Sequence, residues 1–122
     1  MVWRGVIIEE SLDDRDLLHL VNILKSKKTS LEQEQKILTF YDIELDENKK
    51  DEFVDEAEKS IKEGLYIHIC KGNRMIVIFK DRFFEFTEQE KKKLDKAREY
   101  GLSIGILREQ MPFEELIDDP YA

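Results

Sequence analysis

The sequence predicts an α+β domain: a mixed, largely antiparallel sheet with a central meander and flanking helices. Strand-like runs and amphipathic stretches are interspersed along the chain, and three strand-like runs follow one another directly between residues 65 and 86. The chain has 122 residues, of which 41% are apolar, which suffices for one buried core. We therefore expect a single compact domain spanning residues 1–122.

The first half of the chain predicts two strands and two helices. Residues 2–8 are rich in β-branched side chains and predict a strand. Ser11 has the chemistry of a helix cap, and apolar residues follow it at helical spacing: Leu17, Leu20, Val21 and Leu24. The polar residues 26–35 predict a loop. Residues 37–45 alternate as a strand does, and a second helix with an apolar stripe ends near Gly64.

The second half predicts the meander and two further helices. Its three strands cover residues 65–70, 75–80 and 83–86, and Gly72-Asn73 supplies the tight turn between the first two. A capping box at Thr87 begins a helix that we expect Gly101 to end. A strand over residues 102–107 and a short helix from Pro112 complete the order β-α-β-α-β-β-β-α-β-α.

The strand at residues 75–80 bears on oligomeric state. Met75, Val77 and Phe79 point to one side, and Ile76 and Ile78 point to the other. A strand that is apolar on both faces is central and covered on both sides. If all the helices lie on one face, a second copy of the chain is a natural cover for the other, and we expect a homodimer.

Charge and cysteine content indicate a cytoplasmic protein. The net charge of −8 disfavours a generally basic nucleic-acid binder. Cys70 is the single cysteine, so no disulfide can form within the chain. The apolar run near the N-terminus is short and closed by acids, unlike a signal peptide, and no apolar run approaches the roughly 18–20 residues of a membrane span.

The most informative local pattern is Tyr66, His68 and Cys70, which the period of a strand places on one face. A thiolate with a neighbouring imidazole base supports nucleophilic chemistry, and the same pair could ligate a metal. Residues two apart on a strand have Cα atoms about 6.5–7 Å apart, which is long for a direct hydrogen bond. The simpler interpretation is a half-buried histidine and a small buried cysteine.

A second pattern is the basic segment 71–98, which carries nine basic and five acidic side chains and is net positive within an acidic chain. The candidate polyanion-binding residues are Lys71, Arg74, Lys91, Lys92, Lys93 and Lys96. Phe83, Phe84 and Phe86 lie nearby and could stack on bases. The alternative is that the lysines form the solvated face of a helix and that the phenylalanines belong to the core.

The remaining motifs predict no metal site and no cofactor. Residues 101–106 contain two glycines and a serine, but they match neither a phosphate-binding loop nor a dinucleotide fingerprint. There is no GxSxG nucleophile elbow. The carboxylates occur mostly in consecutive runs, and none has the spacing of a calcium loop.

Several runs resemble small proteins of thermophilic archaea to which no activity is assigned. The resemblance covers most of the chain and lies in residues 3–5, 66–71, 99–106 and 109–116. It implies no site residue. A composition of 17 Glu and 14 Lys against 4 Gln and 3 Asn is also of the kind reported for hyperthermophile proteins.

These observations lead to three functional hypotheses. The first is a non-catalytic binding or interaction protein, because no catalytic, metal or nucleotide motif is complete. The second is an enzyme or small-ligand binder that uses Tyr66, His68 and Cys70. The third is binding of a polyanion or nucleic acid by segment 71–98, which the acidic remainder of the chain disfavours.

Overall fold

The computed structural model describes residues 2–31 and 36–122, in which six strands form one sheet and three α-helices pack against it. The strands are β1 (Val2–Ile8), β2 (Asn22–Leu31), β3 (Lys36–Asp46), β4 (Ile67–Lys71), β5 (Arg74–Phe79) and β6 (Arg82–Thr87). The helices are α1 (Lys50–Ser60), α2 (Lys91–Ser103) and α3 (Phe113–Asp118). The predicted α+β class is confirmed.

The strand order is β2-β3-β1-β4-β5-β6, and every neighbouring pair is antiparallel. The predicted meander is confirmed as β4-β5-β6, with Gly72 at a φ of +61° in its first turn. Strand β1 lies between this meander and the hairpin formed by β2 and β3. The first strand of the chain thus joins two locally connected units into one sheet.

The two faces of the sheet bury separate clusters of apolar side chains. The face that we call the α1 face packs against α1 and a 3-10 turn at Arg15–Leu20. The opposite face, which we call the α3 face, is covered over β4, β5 and β6 by α2 and α3. Strand β5 contributes Ile76 and Ile78 to the first cluster and Met75, Val77 and Phe79 to the second. This confirms that the strand is covered on both sides.

The α3 face has a different character over β1, β2 and β3. Val6, Ile8 and Phe40 are only half-buried there, and Lys25 and Lys27 on β2 are exposed. The apolar cluster beneath α2 and α3 draws its strand residues from β4, β5 and β6. The step between the covered and uncovered parts of this face creates a concave surface.

The helix predicted from Ser11 to Leu24 is wrong. The chain forms 3-10 turns at Glu9–Ser11 and Arg15–Leu20 and then enters β2. Leu17 is buried against the α1 face. The apolar spacing that predicted a helix therefore arises from the packing of this 3-10 turn. The predicted loop at 26–35 is also wrong for residues 26–31, which pair with β3, while 32–35 lie outside the described residues. Strand β2 lies at the sheet edge, where its side chains are mostly polar and do not alternate with apolar ones as in a half-buried strand.

The strand predicted at residues 102–107 is wrong, because α2 continues to Ser103 and then turns. The Ile106 N–H donates to the Gly101 carbonyl at 3.0 Å, and the Gly105 N–H donates to the Leu102 carbonyl at 3.1 Å. With Gly105 at a φ of +96°, these two bonds form a Schellman motif. Gly105 therefore ends the helix in place of Gly101, which is buried within it.

The helices in the described part of the chain are all too short or too polar to cross a membrane.

Candidate ligand cavity

Strand β4 and the residue before it present Tyr66, His68 and Cys70 to the α3 face, as the sequence pattern predicts. Each side chain donates a hydrogen bond to a backbone carbonyl of the segment 110–120. Tyr66 Oη donates to Gln110 at 2.5 Å, His68 Nε2 to Pro120 at 2.8 Å, and Cys70 Sγ to Leu116 at 3.4 Å. The three side chains together fasten this segment to the sheet.

Cys70 lies beneath α3 with 2% of its surface exposed. Burial raises the pKa of its thiol to about 12, so the sulfur stays protonated near neutral pH. A nucleophilic cysteine requires the opposite, a thiol pKa depressed by nearby positive charge. The structure thus places Cys70 in an inert setting.

His68 is buried, and desolvation lowers the pKa of its imidazole. The ring is therefore neutral near pH 7. Because Nε2 donates to the Pro120 carbonyl, the single ring proton is on Nε2 and Nδ1 is an acceptor. A catalytic histidine base is commonly oriented by a carboxylate, whereas the partner of His68 is a backbone carbonyl.

A cavity of about 680 Å³ lies beside Tyr66 and His68, at the step on the α3 face. Its floor is the sheet, with side chains from four neighbouring strands or strand ends: Val6, Ile8, Lys25, Lys27, Thr29, Phe40, Asp42, Tyr66 and His68. Its opposite wall comes from the loop before α3, from α3 itself and from the last residues: Ile106, Glu109, Gln110, Pro112, Leu116, Tyr121 and Ala122. The cavity therefore depends on the segment that the three β4 hydrogen bonds hold in place.

The strand register orders the floor into two rows. One row runs Lys25, Asp42, Val6, His68 across β2, β3, β1 and β4. The next row runs Lys27, Phe40, Ile8 across β2, β3 and β1. Neighbouring strands are about 4.8 Å apart, so the first apolar side chain lies about 10 Å from Lys25 in one row and about 5 Å from Lys27 in the other. The floor is charged at the sheet edge and apolar at its centre.

Tyr121 closes one side of the cavity. Its hydroxyl donates to the Ile43 carbonyl at 3.1 Å. Ile43 lies where Leu24 bulges out of the β2–β3 pairing, since Ile23 pairs with Ile43 and Lys25 with Asp42. A bulge disrupts the strand pairing locally, and the phenol of Tyr121 donates to a backbone carbonyl at that point.

The candidate polyanion residues lie at one end of the molecule, where the β4–β5 turn packs against the residues before α2. The Asn73 side chain donates to Gln89 at 3.1 Å, and the Glu88 N–H donates to the Asn73 carbonyl at 2.9 Å. Three of the six cations have carboxylate partners: Lys71 with Glu47, Arg74 with Glu85, and Lys93 with Glu90. Lys91, Lys92 and Lys96 are exposed on α2. The positive charge is thus partly neutralised locally.

Sequence reasoning missed Lys25 and Lys27 as site residues. It assigned both lysines to the C-terminal end of the first helix, with Lys27 also in the polar stretch 26–35, whereas both belong to β2. Residues 25–30 are all polar, so no alternation in the sequence marks Lys25 and Lys27 as sharing one face of a strand. Within the described residues, no group of three or more His, Cys, Asp or Glu side chains is placed to hold a metal ion.

Comparisons of the chain with protein-family models, curated proteins and solved structures found no match. The residues that line the cavity are therefore the basis for assigning a function. They combine lysines at the sheet edge, half-buried apolar side chains at the centre and a neutral imidazole beside β1.

We expect the free energy of unfolding to decrease as the pH is lowered below about 6.5, because of His68. The pKa of the folded imidazole is lowered from its ordinary value of 6.5, so below that pH the unfolded chain binds a proton that the folded protein does not. One such group contributes at most about 1.4 kcal/mol per pH unit. Urea unfolding at pH 7.5 and pH 5.5 measures the loss.

The variant His68→Gln keeps a donor for the Pro120 carbonyl and removes the titration. It should lose less stability between the two pH values than the parent protein, by about 1 kcal/mol. His19→Gln, at an exposed position, is the matched control and should keep the parental difference. An unchanged pH dependence in His68→Gln would show that His68 is already able to titrate in the folded protein.

Proposed function

We propose that this protein is a non-catalytic binding protein that takes a small molecule in the cavity on the α3 face. The observation that carries the proposal is the concave floor of half-buried apolar side chains beside the segment 106–122. A volume of about 680 Å³ lies within the range of small-molecule sites, roughly 300–1,000 Å³. A few polar groups around an apolar floor are also typical of such sites.

The surroundings of Tyr66, His68 and Cys70 support binding more than catalysis. The hydroxyl, the imidazole N–H and the thiol each have a backbone carbonyl as partner. Burial raises the pKa values of Tyr66 and Cys70 to about 12, so both stay protonated near neutral pH. In this role Tyr66 and His68 position the cavity wall, and Cys70 packs beneath it.

Binding can be tested with 1-anilinonaphthalene-8-sulfonate, an apolar fluorophore that carries one negative charge. We expect saturable fluorescence enhancement with the parent protein. Ile8→Trp should weaken that binding by about tenfold or more, because the larger ring fills the floor of the cavity. Cooperative urea unfolding with a parental midpoint checks that the variant keeps its fold.

Phe83→Trp is the matched control. Phe83 lies on β6 at the far edge of the sheet with 45% of its surface exposed, so its replacement should leave binding unchanged. If the parent shows no saturable binding, or if Ile8→Trp binds as well as the parent, the cavity is not the site.

Homodimerisation and a cytoplasmic location remain predictions from the sequence. Helices pack on both faces of the sheet, so the condition under which a second copy was expected to cover one face is not met. A dimer interface over β1, β2 and β3 would also cover the cavity floor. Light scattering that gives about twice the chain mass of 14.6 kDa would support a dimer. Polyanion binding by segment 71–98 has weaker support, because three of its candidate cations have carboxylate partners.

A further inference from the structure

We infer that the ligand is a small amphipathic anion, with one carboxylate-like group at Lys27 and an apolar body over Phe40 and Ile8. This inference rests on the proposed function, since it names the class of molecule that the cavity takes. It is carried by the two cross-strand rows of the cavity floor, which differ in the residue that lies opposite each lysine.

Lys25 and Lys27 both line the cavity from the edge strand, but their cross-strand neighbours differ. Lys25 lies opposite Asp42, a carboxylate on the same face. Lys27 lies opposite Phe40, whose ring offers no negative charge. Lys25 therefore has a carboxylate directly across the strand pair, where opposite charges attract each other. Lys27 is the cation whose row contains no acid, and it can attract an anionic group.

The rest of that row suits an apolar body. Phe40 and Ile8 follow Lys27 towards the sheet centre, and both are half-buried although they line the cavity. Two strand spacings separate Lys27 from Ile8, about 10 Å. An eight-carbon chain fits this length. A ligand that covers these side chains removes their apolar surface from water, which favours binding.

The acids of the lining favour a single negative charge at one end of the ligand. Asp42 lies on the floor in the neighbouring row, and Glu109 lies on the opposite wall. Both would repel a second anionic group placed away from the sheet edge. A polyanion such as a nucleotide triphosphate or nucleic acid is therefore a poor fit, whereas a monocarboxylate with an apolar tail satisfies both rows.

The test compares three probes of equal chain length that differ in charge: octanoate, octanamide and octylammonium. Isothermal titration calorimetry on the full chain should give the order octanoate, then octanamide, then octylammonium. A charged hydrogen bond contributes enough to make octanoate bind about tenfold more tightly than octanamide. The variant Lys27→Gln should remove this preference.

Lys28→Gln is the matched control, because Lys28 is the next residue along β2 and points to the α1 face. It removes the same charge from the chain and should leave the preference for octanoate intact. Asp42→Asn should increase the affinity for octanoate by a few fold, since it removes a carboxylate from the cavity floor.

The outcomes separate this inference from the proposed function. If octanoate and octanamide bind equally and Ile8→Trp weakens both, the cavity is a site but the ligand class is wrong. Equal effects of Lys27→Gln and Lys28→Gln would overturn the role of Lys27. If none of the three probes binds while the fluorophore still does, the amphipathic carboxylate is wrong. If the fluorophore also fails, the proposed function falls with it.

Discussion

Replacing Gly5 with alanine should lower the free energy of unfolding by about 3 kcal/mol. This is near the upper end of the losses seen when extra atoms are inserted into a well-packed core. Gly5 pairs with Ile43 on β3 and Ile69 on β4, at the centre of the sheet. A Cβ atom at this position would collide with the carbonyl oxygen of His68 and lie close to the backbone of Ile69. Backbone atoms of a paired strand cannot rotate away as a side chain can, so β1 and β4 must separate.

Urea unfolding of Gly5→Ala and the parent at one pH measures this difference. Gly72→Ala is the informative control, because Gly72 has a φ of +61° and no atom near the added carbon. Its cost is conformational alone, about 1 kcal/mol. If the two variants lose equal stability, the close approach of β1 and β4 is not a constraint on the folded protein.

Replacing Phe113 with alanine should cost about 3–5 kcal/mol and expose Cys70 to thiol reagents. Phe113 is fully buried, and its ring packs edge-on against Tyr66 at 5.6 Å and near Phe86 at 6.3 Å. The guanidinium of Arg98 lies 5.5 Å from the same ring. These contacts anchor α3, whose Leu116 carbonyl accepts the Cys70 hydrogen bond.

The rate of reaction with dithionitrobenzoate under native conditions measures the exposure of Cys70. We expect the parent to react slowly and Phe113→Ala to react at least tenfold faster, because α3 opens more often when its anchor is lost. Phe83→Ala removes a ring that is 45% exposed and should change neither stability nor thiol reactivity much. Fast reaction of the parent would contradict the burial of the thiol.

The elements that the sequence predicted well are those whose side chains meet the core on a regular period. Met75 to Phe79 alternates between two buried clusters, so its period of two reveals a covered strand. Strand β2 failed because it is an edge strand whose lysines, serines and threonine carry no apolar period. Residues 22–31 form a strand because they pair with β3, and their own side-chain pattern does not record that pairing.

The candidate site was predicted in part for the same reason. The period of a strand placed Tyr66, His68 and Cys70 on one face, and the structure brings Tyr66 and His68 to the cavity. The strand period could not show that the three side chains would donate hydrogen bonds to the carbonyls of Gln110, Leu116 and Pro120. Every residue has a backbone carbonyl, so residue types do not reveal which carbonyls will accept these hydrogen bonds.

The central position of β1 has a consequence for how the protein folds. The hairpin β2–β3 and the meander β4-β5-β6 are each made of strands that follow one another in the chain. Strand β1 pairs with residues 40–46 on one side and 68–70 on the other, so its contacts close long loops. Closing such loops costs entropy before any stabilising contact forms, which slows folding. We therefore expect the two units to form early and the docking of β1 to complete one cooperative sheet.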